Sequence, residues 1–489
     1  MTTEPANAVA KKREAGIILH PTSLPGNGQF GELGNEALQF LDFLADAGQR
    51  LWQVLPLGPV HEDLSPYQAL SAFAGNPELI GCKWLLDALP TDAVTKAALS
   101  RHELIALHYR EYRRSGLNRE QFEDFCRQQS HWLDDYAMFR VLKDRFEQRG
   151  WNEWPVEFRD RHPDALSRLE IDASEPLAFY RYQQYLFYQQ WHRVRRYANN
   201  KGIRILGDMP IFVAYDSTDV WAHRQAFLLD EAGLPTVVAG VPPDYFSDTG
   251  QRWGNPHYDW EWMKANGFQW WRQRVAQHME LFDLFRVDHF RGFEACWEIP
   301  AQEETAVNGR WVNVPGDALF ASLQRTFGEL PIVAEDLGVI TPEVTALRRK
   351  YHLPGMLILQ FAFDSGPDNP YLPHNHTEDS VVYTGTHDND TTLGWYRSLS
   401  HEQKHRVQEY LGFPDTPMPW ALIECAYASV AKQAVVPMQD VLGLGTEHRM
   451  NVPGTQQGNW RWRFQWHELS PEMVGRLRTL AERYQRESP

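Results

Sequence analysis

The sequence predicts an α/β chain folded as a (β/α)8 TIM barrel, with helical insertions between strands and no separate C-terminal β-domain. Three observations carry that reading. Eight short apolar runs, each ending in polar or Gly/Pro-rich sequence, recur along the 489 residues, and continuous apolar runs suit strands buried on both faces of a parallel sheet. Helical patterns separate most of them, which is the alternation of a barrel or, as the alternative, of a doubly wound sheet. Acidic residues close several of the runs, at the end of a barrel strand where functional groups gather.

The elements follow in order. The first two runs are GIILHPTSLPG (16–26) and RLWQVLPLGPV (50–60); between them NEALQFLDFLADAG (35–48) is amphipathic and stops at a glycine. The interval 82–200 is too long for a simple crossover. Its pieces NREQFEDFCRQQSHWLDDYAMFRVLKDRFEQRG (118–150) and PLAFYRYQQYLFYQQWHRVRRYANN (176–200) are charged and aromatic, and Phe187, Trp191, Val194 and Ala198 recur at helical spacing. This predicts a mostly helical insertion subdomain packed on the barrel. Its Arg193, Arg195 and Arg196 read as a solvated helix end rather than a basic patch, given the acidic chain. The remaining runs are IRILGDMPIFV (203–213), LFRVDH (284–289), PIVAEDLG (331–338), MLILQFAF (356–363), VVYTGTHD (381–388) and AVVPMQD (434–440). Before the sixth, ITPEVTALRRKY (340–351) is a helix with Thr341 as N-cap and Pro342 in its first turn. The whole chain, 1–489, reads as a single barrel domain.

Composition narrows the class. Hydrophobic residues make up 43% and charged residues 23%, an ordinary globular balance. The net charge of −16 repels phosphate backbones, so no nucleic-acid partner is expected. No apolar run approaches the roughly 18 residues of a membrane span. The opening MTTEPANAVAKKREAG has no apolar stretch of the kind a secretory signal carries. Cys82, Cys126, Cys296 and Cys425 are far apart and form no CxxC or zinc pattern, which fits reduced thiols and a cytoplasmic location. The 19 Trp and 19 Tyr leave many rings for stacking on sugars as well as for the core.

The acids carry the chemistry. Asp208 ends the third expected strand, Asp288 the fourth, Glu335 the fifth and Asp388 the seventh. In a barrel all four open onto the C-terminal mouth. Any one alone is as well explained as a solvated loop acid or a helix cap; four with basic or histidine neighbours favour a shared site. Converging carboxylates without metal-ligand spacing suit glycosidic-bond chemistry. One attacks the anomeric carbon or shields the charge that builds there, and another stays protonated to donate to the leaving oxygen. Arg286 lies two residues before Asp288 on a strand, on the same face, where its charge favours the ionised carboxylate. Glu335 follows apolar PIVA and precedes Asp336, so burial and negative charge both raise its pKa. A metal site is the competing reading, with His374 and His376 as a ligand pair. However, there is no HExxH, and LPHNHTED is a Pro/Asn-rich loop, so neither metal nor cofactor is expected.

RVDHFRG, AEDLG and THDND, in this order after GDMPIFV, resemble the blocks of the α-amylase clan. With SPYQALSAFAGNP (65–77), DYFSDTGQRWGNPHYDW (244–260) and RMNVPGT (449–455), the set resembles the 4-α-glucanotransferases called amylomaltase or disproportionating enzyme, from about residue 16 to the C-terminus. The resemblance implies a retaining transglycosylase that moves α-1,4-glucan segments from a donor malto-oligosaccharide to the 4-hydroxyl of a glucose or glucan acceptor. A covalent glucosyl-enzyme is implied, with intramolecular transfer as a route to cyclic glucans. The implied partners are malto-oligosaccharides, maltose, glucose and glucans derived from starch or glycogen, with no cofactor.

Carried over residue by residue, Asp288 is the nucleophile and Glu335 the acid that frees the leaving sugar and then the base that activates the acceptor. Asp388 grips hydroxyls of the sugar at the cleavage site and favours its distorted ring. His289 and His387 bind sugar hydroxyls, Arg286 holds Asp288, Tyr67 stacks under the sugar and Asp208 contributes from the third strand. Tyr245, Phe246, Trp253 and Asn255 bind substrate from an aromatic active-site loop, 241–262. Arg291 stays open between binding substrate and bracing its loop. An α-glucan hydrolase is the alternative, because the same three carboxylates serve both reactions. Aromatic faces that stack on glucose and a loop that excludes water would favour transfer; a loop merely pinned by buried aromatics would not. Oligomeric state is not legible.

Overall fold

Twelve strands order the described residues: β1 (Glu14–Ile18), β2 (Leu51–Gln53), β3 (Arg204–Met209), β4 (Val237–Val241), β5 (Gln251–Pro256), β6 (Leu284–Val287), β7 (Ala295–Pro300), β8 (Arg310–Asn313), β9 (Ile332–Ala334), β10 (Gly355–Ile358), β11 (Ser380–Tyr383) and β12 (Gln433–Pro437). They belong to a computed structural model that describes residues 13–487 apart from 27, 91–98, 117, 244–246 and 456. Eight of them form one sheet in the order β10-β11-β12-β1-β2-β3-β6-β9. Every pairing in it is parallel. The Ala334 amide donates to Pro354 O at 2.8 Å, which brings β9 against the start of β10 and nearly closes a TIM barrel. Each of the eight apolar runs overlaps one of these strands.

Alternation along the strands decides what reaches the barrel axis. Ile18, Leu206, Leu284, Val333, Val381 and Val435 pack together inside the barrel with Met356 and Ile358. Their neighbours Ile17, Ile205, Phe285, Ile332, Val382 and Ala434 pack outward into the core shared with the helices. Asp208 lies two residues after Leu206, Arg286 and Asp288 two and four after Leu284, and Glu335 two after Val333. One inward parity therefore carries these four polar side chains toward the C-terminal mouth.

Between β2 and β3 the chain passes through helices that include Arg101–Ser115, Arg119–Gln128, Ser130–Arg145 and Ser174–Asn200. The last of these fully buries Phe187, Trp191, Val194 and Ala198. The Trp191 ring lies 6.4 Å from Trp52 of β2 and 5.9 Å from Phe282, so this stripe is the seam between the helix and the barrel. The reading of the basic end of this helix as merely solvated needs correction. Arg193 is exposed over the Trp84 ring, but Arg195 pairs with Asp283 at 2.8 Å and ties the helix to the entry of β6. Later in the chain, helix Pro342–Lys350 is capped by Thr341, whose side chain accepts the Val344 amide.

A second sheet, ordered β5-β4-β7-β8 and antiparallel throughout, grows from the segments after β3 and β6. The stretch 241–262 expected as a loop contains β5 and the start of helix Trp260–Ala265. Gln251–Pro256 has no apolar alternation, so only its pairing with β4 makes it a strand. Among the described residues no helix is long and apolar enough to cross a membrane, and all four cysteines are free thiols.

Candidate active site

The β3–β6 register sets Asp208 directly beside Arg286. Arg286 Nε donates to both Asp208 oxygens at 3.1 Å, and its Nη2 lies 3.0 Å from Asp208 Oδ2 and 2.7 Å from Asp288 Oδ1. The Tyr67 hydroxyl donates to Asp208 Oδ2 at 2.6 Å and accepts from Arg286 Nη2 at 3.1 Å. The Asp208 side chain is fully enclosed, whereas that of Asp288 keeps 30% of its surface exposed. One guanidinium thus joins a buried carboxylate to one that opens on the mouth. Burial alone would depress the Arg286 pKa, but Asp208, Tyr67 and Asp288 outweigh it and hold it well above its usual value. Burial, reinforced by Asp208, also keeps the Tyr67 phenol protonated far above its usual range, consistent with its role as donor.

Glu335 and Asp288 follow neighbouring strands, β9 and β6. Backbone bonds knit their loops: Glu335 N donates to Val287 O and Phe290 N to Glu335 O, each at 3.0 Å. His289 adopts φ 51°, a left-handed conformation that costs a non-glycine residue energy and turns the chain sharply after Asp288. Its amide donates to Glu335 Oε2 at 2.6 Å, and the Leu337 amide donates to Oε1 at 2.9 Å. Burial first, and then the Asp288 charge, push the Glu335 carboxyl up to about 7, against the pull of Arg286 and the two amides. Burial holds the His289 ring down at about 4, so it is neutral near pH 7.

Asp388 lies in the turn after β11 and is gripped from a distant loop. Its Oδ1 accepts Asn451 Nδ2 at 2.6 Å, its backbone oxygen accepts Arg449 Nη2 at 2.9 Å, and its Oδ2 is 3.2 Å from His387 Nε2. Burial would raise this carboxyl, but His387, Asn451 and Arg286 prevail and hold it below the usual carboxylate range. The His387 ring stacks on Tyr67 with centroids 5.3 Å apart, and Trp460 lies 5.9 Å from Tyr67 and 6.0 Å from His387. Asp208, Arg286, Asp288, Glu335, His289, Tyr67, His387 and Asp388 are therefore one connected constellation.

The other expected site residues fall differently. Trp253 meets His289 edge-on at 5.0 Å. Asn255 is buried; its amide donates to Val213 O at 2.8 Å and its oxygen accepts from Gln68 at 3.1 Å, so it pins β5. Asp208 likewise sits behind the cleft, with both oxygens held, and positions Arg286. Tyr245 and Phe246 lie outside the described residues. Arg291 donates to Val339 O at 2.8 Å and its guanidinium lies 3.9 Å over Trp311, the bracing alternative. His374 binds Tyr410 and Pro367 O, and His376 binds Ser429 and Tyr371 O, so all four ring nitrogens have protein partners.

Asn451, Arg449 and Trp460 were not singled out by sequence reasoning. RMNVPGT stood out as a block, but no spacing rule links its Asn to an Asp 63 residues earlier. Chemically, the constellation offers a carboxylate paired with Arg286, a neighbouring carboxyl that keeps its proton near neutral pH, and a third carboxylate anchored by Asn451. Two carboxyls with opposed protonation are what exchange at a glycosidic bond requires.

Comparisons with known proteins agree with that chemistry. The family model described as 4-alpha-glucanotransferase matches residues 19–469. A 4-alpha-glucanotransferase of Thermus thermophilus is 51% identical over 495 residues, covering 97% of this chain and 99% of its own length. One of a Synechocystis species is 46% identical over 497 residues, covering 97% and 98%. The solved amylomaltase from Streptococcus agalactiae in complex with acarbose matches with TM-score 0.93 and 36% identity, covering 97% of this chain and all of that one.

Proposed function

The chain belongs to the 4-alpha-glucanotransferase family and is a glycosyltransferase, and from that premise we propose how its own residues carry the transfer. A donor malto-oligosaccharide binds with its scissile bond between Asp288 and Glu335. Asp288 Oδ2 attacks the anomeric carbon and the bond from that carbon to the bridging oxygen breaks. Glu335 gives its proton to that oxygen, and the shortened glucan leaves with a free 4-hydroxyl. Glu335, now an anion, takes the proton of an acceptor 4-hydroxyl, whose oxygen attacks the anomeric carbon and frees Asp288. Two inversions retain the α configuration.

What supports this reading is the coupling of the two carboxyls. Arg286 engages Oδ1 of Asp288 and leaves Oδ2 for attack. A Glu335 pKa of about 7 lets one group serve as acid and then as base at neutral pH. Asp388, with His387 and His289, is assigned to the hydroxyls of the sugar at the cleavage site, and Tyr67 to its ring. Trp253, with Tyr245 and Phe246, is assigned to a lid that binds the acceptor and excludes water. In this reading 82–200 is a helical subdomain on a single catalytic barrel. The enzyme works in the cytoplasm on malto-oligosaccharides and on glucans derived from starch or glycogen, and a long chain folding back on its own glucosyl-enzyme gives a cyclic product.

Incubation with maltotriose is expected to give glucose and a ladder of products longer than maltotriose. Glucose and maltose alone would mean hydrolysis and would defeat the transfer reading. Asp288→Asn is expected to lower transfer by roughly four orders of magnitude while the fold persists.

A further inference from the structure

We infer that the outer edge of the second sheet, built on Trp311 and Trp297, binds an α-1,4-glucan chain outside the catalytic cleft. The inference rests on the glucan reading above. β8 is an edge strand, and its Trp311 stands directly opposite Trp297 of β7, so both indoles rise from one face. Their centroids are 5.3 Å apart. Trp297 is fixed by a bond from its Nε1 to Ala306 O at 2.9 Å, and Trp311 by the Arg291 guanidinium 3.9 Å above its ring. Despite these braces Trp311 is 38% exposed, and Val307 and Val339 nearby are 50% and 72% exposed. Large apolar side chains gathered on a polar surface mark a binding site more often than chance exposure does.

The surface is tied to the cleft. Arg291 follows Asp288 by three residues, and the Val339 oxygen that it binds follows Glu335 by four. Two contacts thus lead from the loops that bear both carboxyls to Trp311. In the transfer reading the leaving and acceptor chains lie on the side of Glu335, whose loop carries the Val339 oxygen that Arg291 binds. The chemistry fits a sugar chain, whose C–H faces pack on fixed indoles. A second copy of the chain fits less well, because β8 is only four residues long and a net charge of −16 repels like molecules.

The test compares Trp311→Ala and Trp311→Tyr with the unaltered protein, by retardation in native gels containing amylose and by kinetics on maltotriose and on long amylose. Trp311→Ala is expected to lose retardation and to raise KM for amylose about tenfold, with both constants for maltotriose within about twofold. Trp311→Tyr, which keeps a flat ring, is expected to restore most of the affinity. Unchanged retardation and amylose KM in Trp311→Ala would overturn the inference. An equal loss on both substrates would also overturn it, because Trp311 would then act only as a brace for Arg291. Sedimentation showing a dimer that Trp311→Ala dissolves would overturn it too and assign the surface to a second copy. Failure of the unaltered protein to lengthen maltotriose would defeat the transfer reading alone, since retardation by amylose is read without turnover.

Discussion

The backbone amide of His289 donates to Glu335 Oε2 at 2.6 Å. The residue that follows Asp288 therefore holds Glu335, and the left-handed turn at His289 turns that amide toward it. The two groups are coupled by charge as well, since Asp288 is the second cause, after burial, of the raised Glu335 pKa.

A raised Glu335 pKa predicts the alkaline side of the pH profile. The working acid is the protonated form, so kcat/KM on maltotriose is expected to fall as pH passes about 7. The drop approaches tenfold per pH unit above that point. Rate measurements from pH 5 to 9 check this; a plateau to pH 9 would contradict it.

The same shift has a stability consequence. Unfolded Glu335 loses its proton near 4.5, whereas the folded protein keeps it to about 7. The folded state binds that proton more tightly, so stability declines between these values and stays lower above them. Glu335→Gln removes the buried charge. It is expected to abolish transfer and to raise the melting temperature at pH 8 by roughly one to a few degrees, with a smaller gain at pH 5.

Asp208 tests the distinction between positioning and contact. It is enclosed and bound to Arg286 and Tyr67. Asp208→Asn leaves the buried Arg286 guanidinium with only the partly exposed Asp288 as countercharge, which is expected to cost about 3 kcal/mol in urea unfolding and to lower kcat about a hundredfold. A variant of wild-type stability with only a raised KM would show Asp208 to be a sugar contact after all.

Asn451 is predicted to tune Asp388. Its Nδ2 donates to Oδ1 at 2.6 Å and favours the anion. In Asn451→Ala the carboxylate loses that donor, so its pKa rises. The acid limb of kcat/KM is expected to move to higher pH, with the plateau lowered about tenfold to a hundredfold. A purely structural loss would lower the plateau and leave the limb where it was.

Much of this arrangement is legible in the sequence because parallel barrel strands are buried on both faces and stand out as apolar runs. LFRV and PIVA mark β6 and β9, spacing alone places Arg286 and Asp288 on one face, and the strand ends place Glu335 at the same mouth. The second sheet is not legible in the same way. QRWGNP and RWVN carry no apolar alternation, and their partners are non-local. The burial of Asp208 and Asn255 is not legible from their positions in the sequence. Asn451 reaches Asp388 through the tertiary fold, which no local pattern records.

The proposed transfer turns on a covalent bond between Asp288 and the donor sugar. A slow donor, such as a 5-fluoro glycosyl fluoride, followed by proteolysis and mass spectrometry, tests it directly. A glycosyl adduct on Asp288 is expected in the peptide that contains LFRVDHFR, together with α-configured transfer products. An adduct on another residue, or inverted products with no adduct, would contradict it.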